Sequence, residues 1–349
     1  MREPKAARAG VCHEGLRDMK GLVLAEQFFH AHGLPMILRD FPLHAGRMAC
    51  GLVGDGSECF GFDDEISRDH DWGPGFCIWL TREDYDDIGE DLKQRYEQLP
   101  KTFSGFGPRK QSQWGNDRVG VFEIHAFYRR FTGYSNIPQN DKEWIMVPES
   151  ALAAATNGKV FNDPLGEFTL IRNRLLHFYP DDVRLKKMAA RCMTIAQSGQ
   201  YNLGRCLKRG DQFAARYAET KFCADVISLI FLLNRQYTPF YKWMNPALSA
   251  LPRLGREIHE SICLLIQALD YRLKLKIVEE VCSLIIAECK AEGLTNSSSS
   301  FLLDHGPARR RRSGRQPPVA QRTGPPFLEG PCRLTRESHI RSVRWSRQA

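Results

Sequence analysis

The chain of 349 residues contains eleven cysteines but no C-x-x-C pair, has no long apolar run, and never places Gly-Lys-Ser or Gly-Lys-Thr after a glycine-rich turn. The scattered cysteines exclude a zinc ribbon or a disulfide framework and read as small buried residues of a reducing cytosol. The longest apolar stretch, Phe222 to Leu233, is about twelve residues and contains Asp225, which is too short and too polar to span a bilayer. No basic segment followed by an apolar one opens the sequence, so a cytoplasmic protein is expected, neither secreted nor inserted in a membrane. The missing lysine after the glycines excludes a P-loop. Gly51, Gly54 and Gly56 are also spaced wrongly for a dinucleotide fingerprint.

Acidic charge is scarce only at one end. The net charge of +8 comes from Gly306 to Ala349, where eleven arginines face two acids, Glu329 and Glu337, and lysine is absent; the first 305 residues then carry about −1. The basic pI therefore says nothing about what the folded body binds. Four consecutive arginines and repeated prolines without apolar periodicity predict a disordered tail over 306–349. Such a tail is either a basic arm for nucleic acid or acidic surfaces, or the out-of-frame product of a frameshift in high-GC DNA. The lack of lysine beside so many arginines favours the second.

Hydrophobic period divides the remainder. Residues 13 to 33 repeat at helical spacing until Gly33 and Pro35, which should stop the helix. Met48 to Gly54, Trp72 to Leu80 and Val119 to Phe127 read as strands, with a helix over Tyr85 to Leu99. From Asp141 almost every segment has three- and four-residue apolar spacing, and Thr295 to Ser300 is a serine-rich break. The expectation is an α+β chain: a small mixed-sheet domain over 1–140 followed by an all-helical domain over 141–305.

The chemistry concentrates between Gly51 and Gly73. A glycine-rich turn ends in Gly56-Ser57 directly after the first strand, so backbone N–H groups and a hydroxyl approach phosphate oxygens with no Cβ in the way. Eleven residues later Asp69-His70-Asp71 supplies two carboxylates at i and i+2, which share one face if the segment is extended. Hard oxygen donors of this kind suit Mg²⁺, and paired ions about 3.5–4 Å apart stabilise both entering and leaving oxygens of an in-line displacement. His70 would point to the opposite face, as a packing or hydrogen-bonding residue. The alternative is a solvated acidic loop, given the neighbouring run Asp63, Asp64, Glu65.

Gly-Ser, eleven residues, Asp-x-Asp resembles the hallmark of the polymerase-beta-like nucleotidyltransferase superfamily. The longer string Gly51 to Asp71, with Asn157-Gly-Lys-Val-Phe161, Ala196-Gln-Ser-Gly-Gln-Tyr-Asn202 and Pro239-Phe-Tyr-Lys-Trp243, resembles the bacterial domain-of-unknown-function 4037 family within it. The likeness runs from about Leu16 to His305. It implies that Gly56 and Ser57 contact the triphosphate, that Asp69 and Asp71 bind Mg²⁺ or Mn²⁺, and that the helical domain closes over nucleotide and acceptor. The superfamily's third carboxylate would fall on Glu123, the one acid of Arg118 to His125, provided its face turns toward the aspartates.

Lys186, Lys187, Arg205, Lys208 and Arg209 are candidate partners for β- and γ-phosphates, and Lys242 lies among aromatics. Gln197, Gln200, Tyr201 and Asn202 either read an acceptor or cap a helix. The expected function is metal-dependent transfer of a nucleoside monophosphate, with AMP first, from a triphosphate to a hydroxyl on a small molecule, protein or RNA, without a membrane partner. The alternatives are a nucleotide-binding regulator without turnover and an interaction protein built on the helical domain.

Overall fold

Residues 19–110 and 118–307 are described in the computed structural model of the chain. The arginine-rich tail and residues 13 to 18 of the first predicted helix lie outside the described residues. Helix α1 (Gly21–Phe28) passes through a widened turn, Phe29–Gly33, into α2 (Leu34–Asp40), so Gly33 and Pro35 do not stop it as expected. The reason is local: the Leu34 amide reaches back to the Phe29 carbonyl, and this wide turn admits the proline ring, which has no N–H to satisfy.

Asp63 closes the start of α1. Its Oδ2 accepts the Gly21 amide at 2.6 Å and the Trp72 indole N–H at 3.0 Å. The acidic run is therefore divided, with Asp63 only 1% exposed and Asp64 and Glu65 in solvent.

The sheet is built by β1 (Ala49–Leu52), β2 (Cys77–Leu80), β3 (Gly120–Glu123) and β4 (Lys159–Asn162), in the order β3-β2-β1-β4. β1 is antiparallel to both neighbours, while β2 and β3 are parallel, with Leu80 opposite Glu123. Between the strands lie α3 (Ser57–Phe60), α4 (Arg82–Glu97), α5 (Ile124–Thr132), α6 (Asp141–Met146) and α7 (Glu149–Thr156). All three expected strands are shorter than the sequence suggests, the first being confined to Ala49–Leu52. The segment from Trp72 is irregular until Cys77, and the third strand ends at Glu123, where α5 begins. The edge strand β4 comes from within the part expected to be all-helical. Gly158, at φ +63°, precedes it, and a Cβ there would lie 2.0 Å from the Leu52 carbonyl oxygen, so this close approach of β4 to β1 admits only glycine.

Alternation along the strands explains two cores. Cys50, Ile78, Leu80 and Val121 face Phe28, Phe29, Ile37 and Leu92 on one side. Ala49, Cys77 and Trp79 face α5 and the helical part on the other, where Trp79 stacks on Phe168 at 3.9 Å between centroids. Each such fully buried side chain contributes about 1.5–3 kcal/mol.

The helical part comprises α8 (Glu167–Leu176), α9 (Asp181–Ile195), α10 (Gly204–Lys208), α11 (Gln212–Leu233), α12 (Tyr241–Leu248), α13 (Gly255–Gln267) and α14 (Tyr271–Ala291). Residues 196–203 join α9 to α10 through another wide-turned stretch. The serine-rich segment is ordered by side-chain turns: the Ser297, Ser299 and Phe301 amides donate to the Thr295, Ser297 and Ser299 hydroxyls. They fold around His305, which is fully buried and bonded through Nε2 to the Ser299 carbonyl at 2.7 Å. Among the described residues no helix is long and apolar enough to cross a membrane.

Candidate functional site

The turn after β1 is held from outside. The Asn157 side chain accepts the Gly54 amide at 2.9 Å and donates to its carbonyl at 2.8 Å, and Arg172 in turn fixes the Thr156 and Asn157 carbonyls. Gly56 has φ +137°, and a Cβ there would stand 2.8 Å from a Glu58 carboxylate oxygen. Glycine is thus needed at this bend, and Ser57 opens α3 immediately after it.

Glu58 is 2% exposed, and the Arg109 Nη1 donates to its carboxylate at 2.9 Å. The same guanidinium donates to the Asp71 carbonyl at 2.5 Å and the Gly73 carbonyl at 3.1 Å. Arg109 therefore ties the Gly-Ser turn to the Asp71 loop. Nothing in the local sequence around Arg109 signals this, because its partners lie 51 and 38 residues away. Burial pushes the neighbouring Cys59 thiol well above its ordinary value, which keeps it neutral.

Asp69 and Asp71 do not lie on a strand. They follow the short helical turn Ile66–Arg68, and Asp71 adopts the left-handed conformation at φ +53°. The i, i+2 rule for an extended segment consequently fails, and the two carboxylates part company. Asp71 is 3% exposed, lines a cavity of about 460 Å³ and meets Arg118 at 3.3 Å. The Asp69 side chain is 66% exposed, pairs with His70 Nδ1 at 2.6 Å and is not part of the cavity wall. His70 itself lines the cavity.

Gly56 and Ser57 line the same cavity as Asp71, together with the cations Arg118, Arg130 and Lys242. Its aromatic side is Phe60 and Trp243, whose rings are 4.8 Å apart and inclined by 33°, with Lys242 Nζ 4.7 Å above Trp243. The first turns of α7 contribute Ser150 and Ala151.

The other predicted residues are elsewhere. Glu123 is the N-cap of α5: its two carboxylate oxygens accept the His125 and Ala126 amides at 2.8 and 2.7 Å. The strand ends where this cap begins, so its side chain serves the helix and does not line the cavity. Lys187 is directed at Glu149, 3.6 Å away, and over the Tyr179 ring. Burial lowers its pKa, partly opposed by Glu149. Lys186 is exposed on α9, and neither lysine lines the cavity. Gln200 donates to Glu279 and accepts the Leu302 amide, tying the wide-turned stretch to the end of the helical part.

Among the described residues no three His, Cys, Asp or Glu side chains assemble as a metal cluster. A dedicated two-ion cage of Asp69, Asp71 and Glu123 therefore does not fit the positions they occupy. A Mg²⁺ carried in on triphosphate oxygens needs only one or two protein carboxylates, and of the three predicted acids only Asp71 lines the cavity.

The chain thus has an α+β fold, with a mixed four-stranded sheet and a largely helical C-terminal part. Over residues 144–244 the chain matches the family model of a domain of unknown function (DUF4037). A solved structure similar to it is a nucleotidyltransferase-like protein from Exiguobacterium sibiricum 255-15, at 9% identity and a TM-score of 0.32, covering 77% of this chain and 78% of that one. No curated protein matches the chain.

Proposed function

We propose that the cavity between the Gly56-Ser57 turn and Trp243 binds a nucleoside triphosphate with its Mg²⁺, and that the chain transfers the nucleoside monophosphate to a hydroxyl acceptor. The observation that carries this reading is the convergence of a Cβ-free turn, the buried Asp71 and Glu58 carboxylates, three cations and a tilted aromatic pair on one cavity. Each serves a different portion of the ligand. The Gly56 bend lets phosphate oxygens approach the backbone, Arg118, Arg130 and Lys242 balance phosphate charge, and Trp243 with Phe60 offers a face to the base. Mg²⁺, bound with the triphosphate, supplies charge neutralisation at the transferring phosphorus.

The ion pair Asp71–Arg118 gives the protein a way to receive that substrate. Asp71 would hold the Mg²⁺ that accompanies the triphosphate, and Arg118, which meets Asp71 at 3.3 Å, would then turn to the phosphates, so that neither buried charge is left uncompensated. The preference for AMP rests on the family resemblance.

A second reading, a nucleotide-binding regulator without turnover, is favoured by one observation: Glu123 is consumed as a helix cap, which leaves Asp71 without the third carboxylate of the superfamily. Thermal shift with each triphosphate and Mg²⁺, followed by pyrophosphate release in the presence of fractionated cell extract, separates the two. Stabilisation with pyrophosphate release supports transfer, and stabilisation without it supports the regulator. No Mg²⁺-dependent stabilisation by any triphosphate overturns both.

A further inference from the structure

We propose that the end of the helical part farthest from Trp243 docks on an anionic lipid surface. Three links define that end. Lys274 Nζ donates to Glu219 at 2.7 Å and to the Leu265 carbonyl at 2.9 Å. Further along, Gly199 lies against both Phe222 and Val278. At the far end Arg184 bridges the Leu232 carbonyl and Glu292, at 2.9 and 3.0 Å. α11 and α14 therefore run in the same direction on either side of residues 196–203, and their N-terminal ends come together with the last turn of α13. Phe240 and Trp243 follow the opposite end of α11, a helix of about 33 Å.

The side chains at the docking end do not suit free solvent. Leu269, in the turn between α13 and α14, is 94% exposed, Phe213 82%, Tyr217 65% and Ile266 56%. The Phe213 and Tyr217 rings lie nearly parallel, 6.5 Å apart. Arg205, Lys208, Arg209 and Arg216 are exposed around them. Of the nearby acids, Glu219 is buried on Lys274, while Asp211 and Asp270 are exposed and cap α11 and α14 through the Ala214 and Arg272 amides, so the exposed cations outnumber the exposed acids at this end. Apolar tips ringed by cations are the pattern that inserts beneath phosphate headgroups while the cations stay among them.

Charge complementarity selects the occupant. A second copy related by a two-fold axis would bring the same cations face to face. Single-stranded nucleic acid would use the rings, but the aliphatic tips Leu269 and Ile266 have no π-face to offer a base. A bilayer accepts both kinds of group. The contact is adsorption through a helix end and requires no spanning segment.

The test uses the full chain with vesicles of phosphatidylcholine, with and without phosphatidylglycerol, read by co-sedimentation and hydroxyl-radical footprinting. The expected result is binding to the anionic vesicles with oxidation of Phe213 and Leu269 suppressed. Lys208→Glu with Arg209→Glu should lower partitioning about tenfold or more, and Leu269→Asp with Phe213→Asp should leave Tyr217 unprotected by the vesicles while the melting temperature holds. Failure to bind anionic vesicles overturns the proposal. So does sedimentation with an unchanged footprint, which would assign binding to the arginine-rich tail. Concentration-dependent dimerisation lost in Leu269→Asp, or an RNA oligonucleotide that protects Phe213 better than vesicles do, overturns it in favour of those partners.

Discussion

Asp71 and Arg118 meet at 3.3 Å in the cavity wall, whereas Asp69, two residues away, turns to His70 on the surface. The two aspartates are therefore unequal. Asp71→Asn should remove stabilisation by Mg²⁺-triphosphate and lower turnover on the order of 10²–10³, the effect of deleting one key electrostatic group. Asp69→Asn should leave ligand-induced shifts near those of the native chain. Equal loss in both variants would show that the loop rearranges to bring Asp69 into the cavity.

Arg109→Ala leaves the Glu58 carboxylate buried without its partner and unties the turn from the Asp71 loop. A destabilisation of about 3–5 kcal/mol is expected in urea titrations, because both partners are almost fully buried. A loss under about 1 kcal/mol, the range of exposed pairs, would count against this coupling.

Glu123→Ala should cost about 0.5–2 kcal/mol through loss of the α5 cap, with ligand-induced thermal shifts unchanged. Abolished Mg²⁺-triphosphate binding at unchanged stability would return Glu123 to the metal site.

Trp243→Ala removes the aromatic face over Phe60. Nucleotide affinity should fall by about 1–3 kcal/mol, with inorganic triphosphate affected far less. Isothermal titration with both ligands checks the difference, and equal losses would place Trp243 beside the phosphates.

Alkaline pH should destabilise the fold. Burial raises the Cys77 and Cys223 thiols from an ordinary 9.0 to about 12. Groups whose folded pKa is raised contribute stability that is complete below the unfolded value of 9.0 and is lost as pH climbs toward the folded value. Each thiol weakens folding by up to about 1.4 kcal/mol per pH unit inside that window. Lys187, whose pKa burial lowers, acts in the opposite sense just below its ordinary 10.5, but it is one group against several. Urea midpoints on either side of pH 9 measure the slope, and a midpoint that rises with pH would contradict it.

Much of this molecule is local and was legible as such. Helices recur from Asp141 because apolar spacing at three and four residues dictates a buried stripe wherever the chain goes. The Gly56-Ser57 turn follows β1 as the glycines require, since only they tolerate that bend against Glu58. The sequence also marked Asp71 and the Lys242-Trp243 neighbourhood as worth notice. What it did not determine is which of those groups meet. Glu123 looked like a ligand because a carboxylate reads the same whether it holds a metal or a helix end, and only the turn into α5 decided for the helix. Asp69 and Asp71 separated because the chain there is a helical turn followed by a left-handed residue, so the alternation on which their pairing was argued never forms. Arg109, Arg118 and Asn157 entered the site from far along the chain, and β4 joined the sheet from among helices. Local propensity fixes elements within a few turns of chain, but contacts between elements depend on how two buried faces pack, and that is settled only when the whole chain excludes water together.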